Sequence, residues 1–189
     1  MQTDPLLETP HVHTTQPIAM SNPGRWLALL RIIVGLYFAK AIWTKMSIGL
    51  VGGFLPVPMA SDRWLAQMPN IVSKQAAGQD LLWYKSFIEN TVLPNSAIFA
   101  QLTAWGEVVA GLCLVLGCWA GIGAITALCL SINYGLSTHW MGPSSIGFHY
   151  VLIACLIVFF IARSGREWGL DGWMAWRFGD RWFTGRPFA

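Results

Sequence analysis

Four apolar runs, each long enough to cross a bilayer, constrain this chain more than any other feature. They are Arg25 to Met46, Ser96 to Gly117, Trp119 to about Thr138, and Ile146 to Ala162. A spanning helix needs about 20 mostly apolar residues. The third run follows closely on the second and the fourth on the third, and loops that short force antiparallel neighbours. The expected fold is all-α: an integral membrane four-helix bundle, up-down-up-down, with a long extracytoplasmic loop between helices 1 and 2. Composition agrees. Charged residues make up 11 % of the chain and apolar ones 54 %, whereas a soluble domain carries about 25 % charged residues. Eleven Trp are present, and Trp26, Trp43, Trp119, Trp140 and Trp168 flank the apolar runs, as in an interfacial aromatic belt.

The remaining segments divide the chain further. Residues 1–24 are polar, hold Asp4, Glu8, His11 and His13 but no Lys before Arg25, and lack the basic start of a signal peptide. They are expected to be a flexible cytoplasmic tail. Residues 25–175 form the membrane domain, and 176–189 a basic, Trp-containing cytoplasmic tail. Between the first two spans, Pro56, Pro58, Pro69, Asn70, Gly78, Pro94 and Asn95 act as breakers. Within that loop, Gln79 to Val92 reads as a short helix on the membrane surface, with Asp80 as N-cap and Leu81, Tyr84 and Ile88 on one face. Arg163, Arg166, Arg177, Arg181, Arg186 and Arg25 fall on one side, while Lys45, Arg63, Lys74 and Lys85 are spread through the long loop. The positive-inside bias puts both termini in the cytoplasm, in a multi-pass protein of the inner membrane.

Ionisable residues inside the apolar runs narrow the candidate site. A charge in hydrocarbon costs at least about 2.5–3.5 kcal/mol, so each needs a partner or a way out. Arg31, Gly35, Phe38, Ile42 and Lys45 share one helical face, and Lys40, on the opposite side, is expected to snorkel past Trp43. Ala100, Ala104, Glu107, Gly111 and Cys118 form a small-residue stripe on the second span. Gly121, Ala124, Leu128, Ser131 and Gly135 form another on the third. An intramembrane Arg31–Glu107 pair is the structural expectation. Such a pair can fix helix register and nothing else, or, with Lys45 at the outer mouth, it can polarise a quinone carbonyl or relay a proton. Gly35 and Gly111 would leave room for the ring between the two helices.

Other chemistries find little footing. Cys113, Cys118, Cys129 and Cys155 lie in apolar runs without metal-ligand spacing and read as small packing residues. His139 and His149 sit near the outer edge, poorly placed for haem ligation, so neither metal nor haem is expected. No phosphate-binding loop, dinucleotide fingerprint or H-E-x-x-H is present. Three excess positive charges give no reason to invoke nucleic acid. The Trp- and Arg-bearing tail suits the inner leaflet instead. No catalytic residue is singled out, and membrane lipid is the expected surrounding partner.

Several of these residues also carry a family resemblance. Arg31-x3-Gly35-x2-Phe38-x6-Lys45 resembles the first helix of the DoxX-like membrane proteins. Glu107-x3-Gly111-x2-Leu114-x2-Gly117 is similar to their second-helix motif. Gly165-Arg166-Glu167-Trp168-Gly169-Leu170-Asp171 resembles the segment after their fourth helix, with Arg166 and Asp171 as a cytoplasmic anchor. The long first loop, with Phe87-Ile88-Glu89-Asn90 running into Leu93-Pro94-Asn95, is closest to the DoxD branch, which includes the small membrane subunit of thiosulfate:quinone oxidoreductase. Ile42 departs from the family, standing where Gly is frequent. The resemblance covers about residues 25–175. It implies a membrane subunit of a quinone-linked oxidoreductase, with Arg31, Lys45 and Glu107 as the buried polar or quinone site. It also implies a separate partner, either a DoxA-like subunit or a larger membrane complex. The alternative is a non-catalytic accessory subunit of such a complex.

Overall fold

A computed structural model describes residues 22–179, 181, 182, 184, 185, 187 and 188. The expected cytoplasmic tail therefore lies almost wholly outside the described residues. Helix α1 (Pro23–Ala39) starts where Asn22 accepts a hydrogen bond from Gly24 N and Pro23 supplies a preset φ. The chain turns at Lys40, and one further helical turn, α2 (Ala41–Thr44), completes the first span. The other spans are α5 (Ser96–Leu116), α6 (Ala120–Ser137) and α7 (Pro143–Ile161). Gly117 closes α5 at φ 60°, the left-handed stop that glycine adopts without strain. Each span packs against the next, and α1 packs chiefly on α5. Their shared core is Phe38, Ala110, Leu114, Ala124, Ala127, Leu152, Leu156 and Phe159. Ile33, Leu36, Leu102, Val151, Val158 and Ile161 face outward, which an apolar solvent tolerates and water does not. The chain is a multi-pass membrane protein with an all-α bundle.

The segment between the first two spans is folded, contrary to the expectation of a long loop. Strands β1 (Met46–Val51) and β2 (Leu55–Ala60) form an antiparallel hairpin, turned by Gly52 and Gly53 at φ 66° and 81°. Helix α3 (Asp62–Ala77) follows, capped by Ser61, whose hydroxyl accepts from Trp64 N. Pro69 does not break α3. It removes one helical hydrogen bond, but Trp64, Leu65, Met68 and Val72 lie along one face and pack with Val92, Phe99 and Ala100. That burial outweighs the local penalty. Helix α4 (Leu82–Phe87) and a π-helical turn (Ile88–Val92) lead into α5.

The predicted surface helix over 79–92 is corrected in two respects. Leu81, not Asp80, holds the N-cap position, with no side-chain cap. Its apolar face, Leu81, Tyr84 and Ile88, turns inward onto Ala76, Val72 and Leu136. Tyr84 donates to Asn133 O at 3.1 Å and Gln79 to Leu136 O at 2.8 Å, tying this segment to the end of α6. After α7, a 3₁₀ turn (Ser164–Arg166) and α8 (Leu170–Phe178) fold back under the start of α1. Cys129 is exposed on the outside of α6 and so is not an interior packing residue, whereas Cys113, Cys118 and Cys155 are half-buried.

Candidate functional site

The two expected charge partners do not meet. Gly35 lies against Leu114 and Val115, and Gly111 against the backbone of Ala39, so α1 and α5 run antiparallel with Arg31 level with Gly117. Gly117 is ten residues beyond Glu107 (117 − 107), or ~15 Å along a helix. A guanidinium cannot bridge that gap. The same contacts fill the seam where a ring was expected to sit: a methyl group on Gly35 would already meet Val115 N at 2.8 Å. Those glycines serve close helix approach.

Arg31 instead belongs to the end of the bundle where the chain folds back. It is fully buried, and its Nη2 donates to Trp168 O at 3.1 Å. Nε and Nη1 have no hydrogen-bond partner among the described residues. The guanidinium occupies the space that Gly117 and Gly169 leave by having no side chain. Beside it, Asp171 accepts from Trp119 N at 2.6 Å and Ala120 N at 2.9 Å, capping the positive end of α6. Asp171 N in turn donates to Gly117 O at 2.7 Å. Burial pushes the Asp171 carboxyl upward, against the opposing pull of the Ala120 and Trp119 N–H groups, Arg31 and Arg166. Arg166 itself is exposed and reaches Thr184 O at 3.3 Å. Arg31 and Asp171 thus hold the first span, the α5–α6 turn and the C-terminal segment together.

Glu107 and Lys45 form the second cluster. Lys45 Nζ lies 2.8 Å from Glu107 Oε2, and Tyr134 donates its hydroxyl to Glu107 Oε1 at 2.7 Å. Glu107 is buried on the small-residue stripe of α5, opposite Tyr134 of α6. Lys45 arrives from the end of the first span because α1 and α2 stop level with the middle of α5. Its ammonium also sits 4.1 Å from the centroid of the Trp64 ring, a cation–π contact. The indole of Trp64 is fixed by its own bond to Ala100 O at 3.1 Å. Lys40 is exposed as expected, with Nζ 4.0 Å from the Tyr37 ring centroid.

Two clefts flank this cluster and share Trp64. One, about 490 Å³, is lined by Trp43, Thr44, Lys45, Arg63, Trp64 and Gln67 and carries two cations. The other, about 600 Å³, is mostly apolar, with Trp64, Met68, Tyr84, Phe99, Asn133 and Tyr134 among its walls. Tyr134 was visible in the sequence only as a polar ring in a span of small residues. Trp64 and Arg63 lay in the segment expected to be a loop, so nothing tied them to the site. His139 is exposed, and His149 is half-buried with Nδ1 2.8 Å from Ser145 O.

No solved structure matches this chain. Residues 26–183 match the family described as "TQO small subunit DoxD". That stretch takes in all four spans, the folded segment between the first two, and the Asp171 staple. The chain belongs to the DoxD family of the DoxX-like membrane proteins.

Proposed function

We propose that this chain is the membrane subunit of a quinone-linked oxidoreductase that takes electrons from thiosulfate and works with a separate partner chain. The observation that carries this reading is the continuous link Lys45–Glu107–Tyr134 between a cationic cleft and an apolar one. A small dianion suits Lys45, Arg63 and Gln67. A quinone ring suits the apolar cleft, where few polar groups interrupt aromatic walls. Reducing a quinone to its quinol takes up two electrons and two protons. Two thiosulfate anions supply one electron each and couple to one another through a new S–S bond. The Tyr134 hydroxyl can pass one proton to a quinone oxygen and recover it from the Lys45 ammonium through Glu107, while water supplies the second proton and recharges Lys45 at the open cationic cleft. The partner is a DoxA-like subunit or a larger membrane complex. The Arg-bearing end with Arg25, Arg163, Arg166 and Arg177 lies in the cytoplasm.

A second reading, a non-catalytic accessory subunit, is favoured by one feature: Lys45 and Glu107 satisfy each other and need no ligand. Thiosulfate-dependent quinone reduction by membranes containing the chain and its partner separates the two. Tyr134→Phe should lower turnover at least tenfold while a quinone analogue still binds. Arg63→Met should raise the thiosulfate concentration needed for half-maximal rate. Unchanged kinetics in both folded variants would leave the accessory reading.

A further inference from the structure

We propose that strand β1 pairs edge to edge with β1 of a second copy of this chain, giving a two-fold dimer. The hairpin's own hydrogen bonds decide which edge is open. Lys45 O accepts from Ser61 N at 2.8 Å, while Ala60 N–H turns away to Gln101 Oε1 at 2.9 Å. Bonded and non-bonded pairs alternate along an antiparallel ladder. The inward-bonded pairs are therefore Ser47 with Met59, Gly49 with Val57, and Val51 with Leu55. Met46, Ile48 and Leu50 on β1, and Pro56, Pro58 and Ala60 on β2, turn their backbone groups outward. Pro56 and Pro58 have no N–H, and that of Ala60 is taken. The outer edge of β2 thus offers no donor. The outer edge of β1 offers the N–H and C=O of Met46, Ile48 and Leu50, and none of them bonds outside the hairpin among the described residues.

Side chains point the same way. From Met46 to Ala60 no residue is ionisable, and Ile48 and Leu50 are 76 % and 64 % exposed. Proteins ordinarily blunt such an edge with charge, proline or a bulge; here only β2 is blunted.

The outward residues of β1 are symmetric about Ile48, so the strand complements itself. An antiparallel copy sets Ile48 opposite Ile48 of the second copy, and Met46 opposite its Leu50. Each is a hydrogen-bonded pair, and no like charges are opposed. Assembly then stops at two, because the proline edge of each hairpin cannot add another strand. The two-fold axis is perpendicular to the paired sheet. Two copies with the same orientation in a bilayer share an axis along the membrane normal, so their paired hairpins lie parallel to the membrane plane. The same register brings the Gly52–Gly53 turn of the second copy beside Thr44 and Lys45, at the mouth of the cationic cleft.

The test uses the full chain in lipid nanodiscs. Particle mass should correspond to two copies for the wild type and to one for Ile48→Pro, whose lost N–H serves no bond within the hairpin. Under mild oxidation, Ile48→Cys should give a disulfide-linked dimer well above the wild-type background. Leu55→Cys, on the far strand, should not. A monomeric wild type, a dimeric Ile48→Pro, a dimer in which Ile48→Cys fails to cross-link, equal cross-linking through Leu55→Cys, or a ladder beyond two copies would each overturn the proposal.

Discussion

Lys45 and Glu107 show how a charge is kept inside an apolar bundle. The carboxylate is buried, so its stability depends on the ammonium at 2.8 Å and the Tyr134 hydroxyl at 2.7 Å. Removing one member of such a pair strands the other in a low-dielectric setting, at a cost of roughly 3–5 kcal/mol. Lys45→Met should therefore lower the thermal midpoint in detergent sharply, and Lys45→Met with Glu107→Gln should recover much of the loss. Arg31→Met with Glu107→Gln should be additive, since the two side chains sit at different levels of the bundle. The cycles are read from denaturation midpoints of the purified protein. The sequence placed all three charges on interior faces because helical periodicity fixes direction around an axis. It could not pair them, because pairing depends on how far one helix slides along its neighbour. That offset comes from the contacts of Gly35 with Val115 and Gly111 with Ala39, which no single-helix pattern contains.

At the level of elements, the spans were legible and the segment between the first two was not. An apolar run of about 20 residues has few alternatives to a spanning helix. Helix α3 is weaker evidence locally, since Pro69 lies in its interior and much of its surface is polar. It forms because one face covers the Ser96 half of α5, which α1 stops too early to reach. The tightness of the α1–α5 seam makes a second expectation measurable. A methyl group at position 111 would be forced into the backbone of Ala39, whereas one at Gly147 meets nothing within 4 Å. Gly111→Ala should destabilise the bundle by about 1–3 kcal/mol, as overpacking does. Gly147→Ala should leave stability unchanged or slightly higher, because alanine is the better helix former. Thermal denaturation of the two variants side by side checks the contrast.

Across the whole molecule, the start of α1 and the C-terminal segment share one end of the bundle, and the hairpin with α3 and α4 occupies the other. The proposed orientation puts the hairpin end outside. Cysteine replacing Ser73, exposed on α3, should react with a membrane-impermeant maleimide in intact cells, while cysteine replacing Arg177, exposed on α8, should react only after lysis. Ser164 would be a poor reporter from either side, since it is 3 % exposed. The reverse labelling pattern would invert the protein. The Arg31 contact reaches from the first span to Trp168, a separation of 137 residues. A ribosome delivers Arg31 to the membrane long before Trp168 and Asp171 exist. Until then the guanidinium must linger near the headgroups or in water, so α1 cannot take its final depth when it is inserted. The first helix to be made is among the last to be seated, and it is the end of the chain that seats it.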